Sequence, residues 1–437
     1  MTRKAFSILL LTLVSSLSLF AQESTDSLAA RLSELEARIA QIEGKGATTE
    51  LGEIKQQIEV LTKEIEALKI GEQKTAVIAD VQQFGLGAAA SKVYRSEPGL
   101  SFGGYGEFLY ENFDAGNRVD QLDVLRAILY SGYKFSDRVI FNSELEFEHA
   151  TTSGGVGEVS VEFGYLDFMI RPELNVRAGL MLMPVGLVNE LHEPTAFLGA
   201  KRPEVERTII PSTWREAGAG IFGDIGSVTY RAYVVTGLDS ADFSSSGIRA
   251  GRQGGARAKA DDFALVGRLD WEPVEGLLVG GSLFNGNSAQ GRAYDGQVTI
   301  TELHADAKIR GISARALWSH GTIDDVSAIN AANNLTGNRS VGEEFGGWYG
   351  ELGYDLASVL PLRQQSLTPY IRFESFDSQA EVPSGFTRNP ERQIDITTFG
   401  FAWKPIAQSV IKFDVQNVEN EAGTGVDQFN LSLGYIF

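Results

Sequence analysis

Between Gly186 and Glu216 the chain crowds together Glu190, His192, Glu193, Lys201, Arg202, Glu204, Glu206, Arg207 and Arg215, interleaved with apolar Phe197, Leu198, Ile209, Ile210 and Trp214. Charges of both signs on a stretch with its own docking residues suit the sorting of ions in a narrow place. They suit catalysis poorly. The four histidines, His149, His192, His304 and His320, are widely spaced, and none falls in a Ser/His/Asp or metal-ligand pattern. His192 beside Glu190 and Glu193 suggests a metal site on paper, but a polar loop histidine is the plainer account. No glycine-rich phosphate loop joins a strand to a helix, so no cofactor and no enzyme is implied. The absence of cysteine excludes a disulfide framework and thiolate zinc sites.

A connection of about thirty residues inside a compact fold is usually functional. Folded into a channel, this one is a constriction set by Glu190, His192, Glu193, Lys201, Arg202, Arg207 and Arg215. Folded outward, it is a cap. A second basic stretch, with Arg249, Arg252, Arg257 and Lys259, either gathers anions at a channel mouth or is a solvated, mobile loop.

The elements that must position these charges are strands. In Asp427–Phe437, the residues Phe429, Leu431, Leu433, Tyr435 and Phe437 are apolar at a strict period of two, with Asn430, Ser432 and Gly434 between them. From Ser101 onward sixteen such runs alternate short turns with long polar connections, the pattern of an outer-membrane barrel. In Val139–His149, Phe141, Leu145 and Phe147 share one face while Glu144, Glu146 and Glu148 share the other. Carboxylates on a lipid face are unfavourable, so they must point into a wet interior. The same parity turns Arg126, Arg177, Arg231, Arg268, Arg315 and Arg372 inward, against Glu144, Glu146, Glu148, Asp270, Glu374 and Asp414. They form either a basic wall facing an acidic one or wall residues that neutralise one another. Sixteen strands enclose an aqueous channel. The fold class predicted is an all-β transmembrane barrel preceded by a short helical coiled coil.

The amino terminus has Arg3 and Lys4 ahead of the apolar run Phe6–Phe20, an export signal over residues 1–21. Its loss takes the formal charge from −19 to −21, a balance that disfavours nucleic acid as a partner. Residues 22–76 carry apolar residues at alternating steps of four and three, Leu28, Leu32, Leu35, Ile39 and Ile42, then Leu51 to Leu68, the seam of a periplasmic coiled coil. A helical hairpin turning at Gly44–Gly46 and a single amphipathic helix on a surface are the alternatives. Residues 77–99 read as a linker and 100–437 as the barrel.

The stretches SFGGYGEFLYENFD at Ser101–Asp114, SELEFEHA at Ser143–Ala150 and MPVGLVNELHEPTAFLGAKRPEVERTIIPSTWREAG at Met183–Gly218 resemble the phosphate-selective porin O/P family. The resemblance implies a homotrimeric, sixteen-stranded pore in the bacterial outer membrane, embedded in lipid and lipopolysaccharide. It also implies a third external loop folded into the channel, matching Gly186–Glu216, and lumen cations that select phosphate. The acidic column Glu144, Glu146 and Glu148 departs from a strongly basic lumen. A coiled coil ahead of the barrel is similar to that of porins for small organic acids. Two functions follow: passive diffusion of small hydrophilic solutes or anions, or a structural barrel whose coiled coil tethers the membrane to peptidoglycan.

Overall fold

The structure, a computed structural model, describes residues 82–437 apart from 116, 117, 153, 154, 156 and 363. The signal segment, the heptads of residues 22–76 and the start of the linker lie outside the described residues.

The strands are β1 (Gly99–Phe113), β2 (Gln121–Ser136), β3 (Val139–Glu148), β4 (Val159–Arg171), β5 (Leu174–Leu182), β6 (Arg215–Ile225), β7 (Val228–Thr236) and β8 (Phe263–Val274). They continue as β9 (Leu277–Gly286), β10 (Val298–Ile309), β11 (Ile312–Ile323), β12 (Glu344–Tyr354), β13 (Ser366–Glu381), β14 (Gln393–Ile406), β15 (Ser409–Asn420) and β16 (Gln428–Ile436). Each pairs antiparallel with the next. β1 then pairs with β16, from Tyr105 opposite Ile436 to Phe113 opposite Gln428, and closes the sheet. Closure leaves no unpaired strand edge, which hydrocarbon cannot satisfy.

Period two assigns the faces. On β16, Gln428, Asn430 and Ser432 are buried while Leu433 and Tyr435 are exposed; on β3, Glu144 and Glu146 are buried while Leu145 and Phe147 are exposed. Leu269, Leu303, Trp318, Trp348 and Phe399 likewise face outward. A soluble sandwich buries its apolar face, and this barrel does the reverse. Its outer surface is made for an apolar surrounding.

Short turns gather at one end, with left-handed glycines at Gly276 and Gly311 where a two-residue hairpin needs a positive φ. The long connections lie at the other end, and there the strands outrun their apolar pattern. The run Leu367–Phe376 extends to Glu381 through Asp377, Ser378 and Gln379, and Ser409–Asn417 extends to Asn420. Beyond the apolar belt, ladder hydrogen bonds rather than burial hold the hairpins, so the alternation fades before the strand does. Three short α-helices, α1 (Lys92–Arg95) before β1, α2 (Glu204–Thr208) in the β5–β6 loop and α3 (Val326–Ala332) in the β11–β12 loop, complete the described fold with four single 3-10 turns.

Replacing Leu303, mid-strand on the outer face, with arginine is expected to lower folding stability in lipid vesicles by roughly 2–4 kcal/mol. A denaturant titration unchanged from the parent protein would contradict the face assignment.

Candidate functional site

The β5–β6 loop, residues 183–214, folds into the barrel rather than over it. Asn189 braces its two stems: its side-chain amide donates to the carbonyls of Met183 (2.7 Å) and Trp214 (2.9 Å), and its Oδ1 accepts from the Trp214 N–H at 2.6 Å. Trp214 is fully buried and its ring lies 4.6 Å from that of Phe284 on β9. Ile209, Ile210, Val205 and Val188 are equally buried, which supplies the apolar part of the docking.

The polar part comes from the wall. Asp414 on β15 accepts from the Ala200 N–H at 2.7 Å, and Glu374 on β13 accepts from the Val205 N–H at 3.2 Å. Arg315 on β11 donates to the Ala196 carbonyl at 2.8 Å and Lys404 on β14 to that of Thr195 at 3.0 Å, while Arg268 on β8 donates to that of Gly186. Inside the loop, Glu206 accepts from the Val188 N–H and the Tyr349 hydroxyl, both at 2.7 Å. Burial raises the Glu206 pKa, and those two donors partly offset the rise.

The predicted constriction residues do not act as one ring. Glu190 lies 3.4 Å from Arg231 near the short-turn end. His192 Nε2 is 3.2 Å from Glu144, its Nδ1 lies 2.9 Å from the Asn189 carbonyl, and Arg202 donates to the His192 carbonyl at 3.3 Å. Glu193 faces the chain before β1. Lys201 pairs with Glu111 on β1, Arg207 with Glu204, and Arg215, at the start of β6, with Glu162 on β4.

All the predicted wall residues point inward, but no basic wall faces an acidic one. Each arginine is paired with carboxylates on its own or a neighbouring strand: Arg126 with Glu107 and Glu146, Arg177 with Asp167, and Arg231 and Arg268 with Asp270. Arg315 pairs with Asp306, and Arg372 with Glu351 and Glu374. Glu148 is 3.7 Å from Arg126. An arginine without such a partner would be hard to keep buried, so the pairing follows from the packing.

The excess charge sits higher. Toward the long loops lies a chamber of about 1010 Å³, lined by Arg118, Lys201, Arg207, Arg249, Arg252 and Arg392 against only Glu204 and Glu391. Arg249 and Arg252 belong neither to a mobile loop nor to a free charge run. Arg249 donates to the carbonyls of Arg207 and Ser212, and Arg252 to those of Pro211 and Thr213, so the β7–β8 loop clasps the inward one. Burial pulls the Arg249 pKa down to about 9, helped by Arg252, Arg207 and Arg202. Such a guanidinium bonded only to carbonyls retains its field.

The segment from Gln82 to α1, in the region that reads as a linker, is packed inside the short-turn end. Leu86, Ala88, Ala89, Ala90 and Val93 are buried. Glu193 Oε1 accepts from the N–H groups of Ala89 and Ala90, each at 3.0 Å. Tyr94 donates to Asp167 at 2.6 Å, beside the Arg177 pair. Sequence reasoning missed this contact. The signal was available in Gly85, Gly87 and the three alanines, small residues that let a backbone approach Glu193 and Arg231 closely. It also missed Asp167, Asp306 and Glu351, which strand parity could have placed inward. Among the described residues no group of three or more His, Cys, Asp or Glu is placed to hold a metal ion.

An inward-folded loop inside a closed sixteen-stranded barrel defines a barrel of the porin type, and solved structures agree. OmpF of Salmonella typhi in complex with daunomycin superposes with a TM-score of 0.55 at 10% identity, over 77% of this chain and 97% of that one. The anion-selective porin from Comamonas acidovorans gives 0.50 at 12% identity, over 78% and 100%. OmpT of Vibrio cholerae gives 0.50 at 10% identity, over 78% and 99%. At these identities the likeness is one of fold. No family model matches the chain. An uncharacterized protein of Aquifex aeolicus (strain VF5) is 35% identical over 364 residues, 81% of this chain and 83% of that one, and the chain belongs to its family.

Burial and the nearby Arg202 lower the His192 pKa from its ordinary 6.5 to about 4; Glu144, Glu146 and Arg126 are the other charges facing it. The sign follows from linkage: an undocked loop takes up the proton first, so His192 favours docking fully above pH 6.5 and less as pH falls toward 4. An NMR titration should therefore place its midpoint near 4. A midpoint at the ordinary value would show the histidine in water and the loop out of the barrel.

Proposed function

We propose that the chain is an outer-membrane porin for passive diffusion of small hydrophilic solutes, with a preference for anions such as phosphate or organic acids. The observation that carries this reading is the chamber of about 1010 Å³, basic in its lining and floored by the inward loop at Lys201, Glu204 and Arg207. A solute entering from the long-loop end meets fixed cations before the narrowest part, which raises the local concentration of anions. In this reading the 186–216 loop is the constriction. The paired wall arginines Arg268 and Arg315 hold its backbone, and Arg249 and Arg252 supply the field. The resemblance to phosphate-selective porins and the fold shared with the anion-selective porin of Comamonas acidovorans support the anion preference.

The same reading places a cleaved signal at residues 1–21, a coiled coil at 22–76 on the periplasmic side, and lipid and lipopolysaccharide around the exposed apolar belt. It takes the assembly to be a homotrimer, the form of one OmpT structure from Vibrio cholerae. A second reading, a barrel anchoring a tether to peptidoglycan, draws on the filled lumen: the chamber and a smaller cavity at the short-turn end share no lining residue. A folded protein that pulls down peptidoglycan and never conducts would favour it.

Deleting Leu198–Pro211 is expected to raise single-channel conductance in a planar bilayer and to flatten ion selectivity. A conductance equal to that of the full chain would show that the loop is not the constriction.

A further inference from the structure

We propose that the segment before β1, Gln82–Arg95, is a removable plug in the short-turn mouth of the barrel and that its displacement opens the exit of the pore; the proposal rests on the pore reading above. The segment crosses the mouth from β7 to β1. Near Gly85 it meets Arg231 of β7, and the Phe84 ring lies 5.3 Å from Phe222 of β6. Farther on, Tyr94 bonds Asp167 of β4, Asn142 of β3 donates to the Ala90 carbonyl at 2.9 Å, and Lys92 donates to the Phe102 carbonyl of β1 at 2.8 Å.

The remaining arc is filled by the inward loop. Thr195 and Ala196 reach β14 and β11 through Lys404 and Arg315, Leu198 packs near Gly353 of β12, and Pro194 packs near Gly434 of β16. The two pieces meet where Glu193 receives the Ala89 and Ala90 N–H groups. Together they reach strands on most sides of the mouth, and the segment continues into the barrel wall through β1.

The barrel closes without the segment, since β1 to β16 pair with one another around the full circle. A permanent strut would be packed on both flanks. Here a cavity of about 290 Å³ lies beside Gln82–Gly85, lined also by Leu187, Glu190, Arg268 and Leu278. Leu86, Val93 and Tyr94 anchor the segment in the mouth, and its polar hold on the wall runs through the Tyr94–Asp167 and Asn142–Ala90 hydrogen bonds. The wall has pairing of its own there, Asp167 with Arg177 at 2.8 Å, which does not run through the segment.

The chain has no cysteine, so a reversible lock can be built cleanly. A side chain added at Gly132 on β2 would place its Cβ 2.8 Å from that of Val93. A disulfide needs about 3.8 Å, so a shift of about 1 Å accommodates one. In planar bilayers, the full chain carrying V93C and G132C should conduct less than the parent when oxidised, and dithiothreitol should restore parental conductance. Tyr94→Ala, which removes the Asp167 bond and the Phe84 contact, should raise conductance by roughly twofold or more as the exit widens. Conduction by Tyr94→Ala through an otherwise silent barrel would support the plug equally. If all three proteins conduct alike, oxidised or reduced, the plug is overturned while the pore stands. If none conducts in any state, the pore reading falls and the plug with it.

Discussion

A backbone laid inside a barrel must find a partner for each buried N–H and carbonyl, and the rest of this structure depends on that requirement. An orphaned buried group costs on the order of 1–3 kcal/mol, and the inward loop brings many of them. The wall answers with charged side chains. Asp414, Glu374, Arg315, Lys404 and Arg268 each bind a loop N–H or carbonyl. Three of these groups also pair with charges of the wall, Arg315 with Asp306, Arg268 with Asp270 and Glu374 with Arg372, so much of the charge that holds the loop is balanced.

That division of labour fixes the electrostatics. Charges engaged in the wall are tied in pairs and present little net field to a passing ion. The cations that remain effective are those bonded to carbonyls rather than carboxylates, Arg249 and Arg252 above all. They face the chamber because the β7–β8 loop must reach over the inward loop to clasp it. The net charge of −19 therefore says little about the lumen: Asp295, Asp324, Asp325, Glu343, Glu344 and Glu381 line a separate cavity among the long loops.

The sixteen strands were legible because their constraint is local: period two, written in each strand, against lipid on one side and water on the other. Glu144, Glu146 and Glu148 announced their face, as did each inward arginine. Pairing was not legible, because a salt bridge such as Arg372 with Glu351 depends on register between strands that sequence alone does not set. The inward course of the loop was open to two readings, for its apolar residues could dock on either side of the rim. The segment at Gln82–Arg95 looked like a linker because close packing there uses glycine and alanine, the residues that also mark flexible chain.

The central claim is that fixed cations above an inward loop set the selectivity of a pore. Its most direct test is the reversal potential of the purified full chain in a planar bilayer under a steep potassium chloride gradient. An anion-directed potential is predicted, set by Arg249 and Arg252 in the chamber. A cation-directed potential would contradict the claim and hand selectivity to Glu204 and the carboxylates of the long loops.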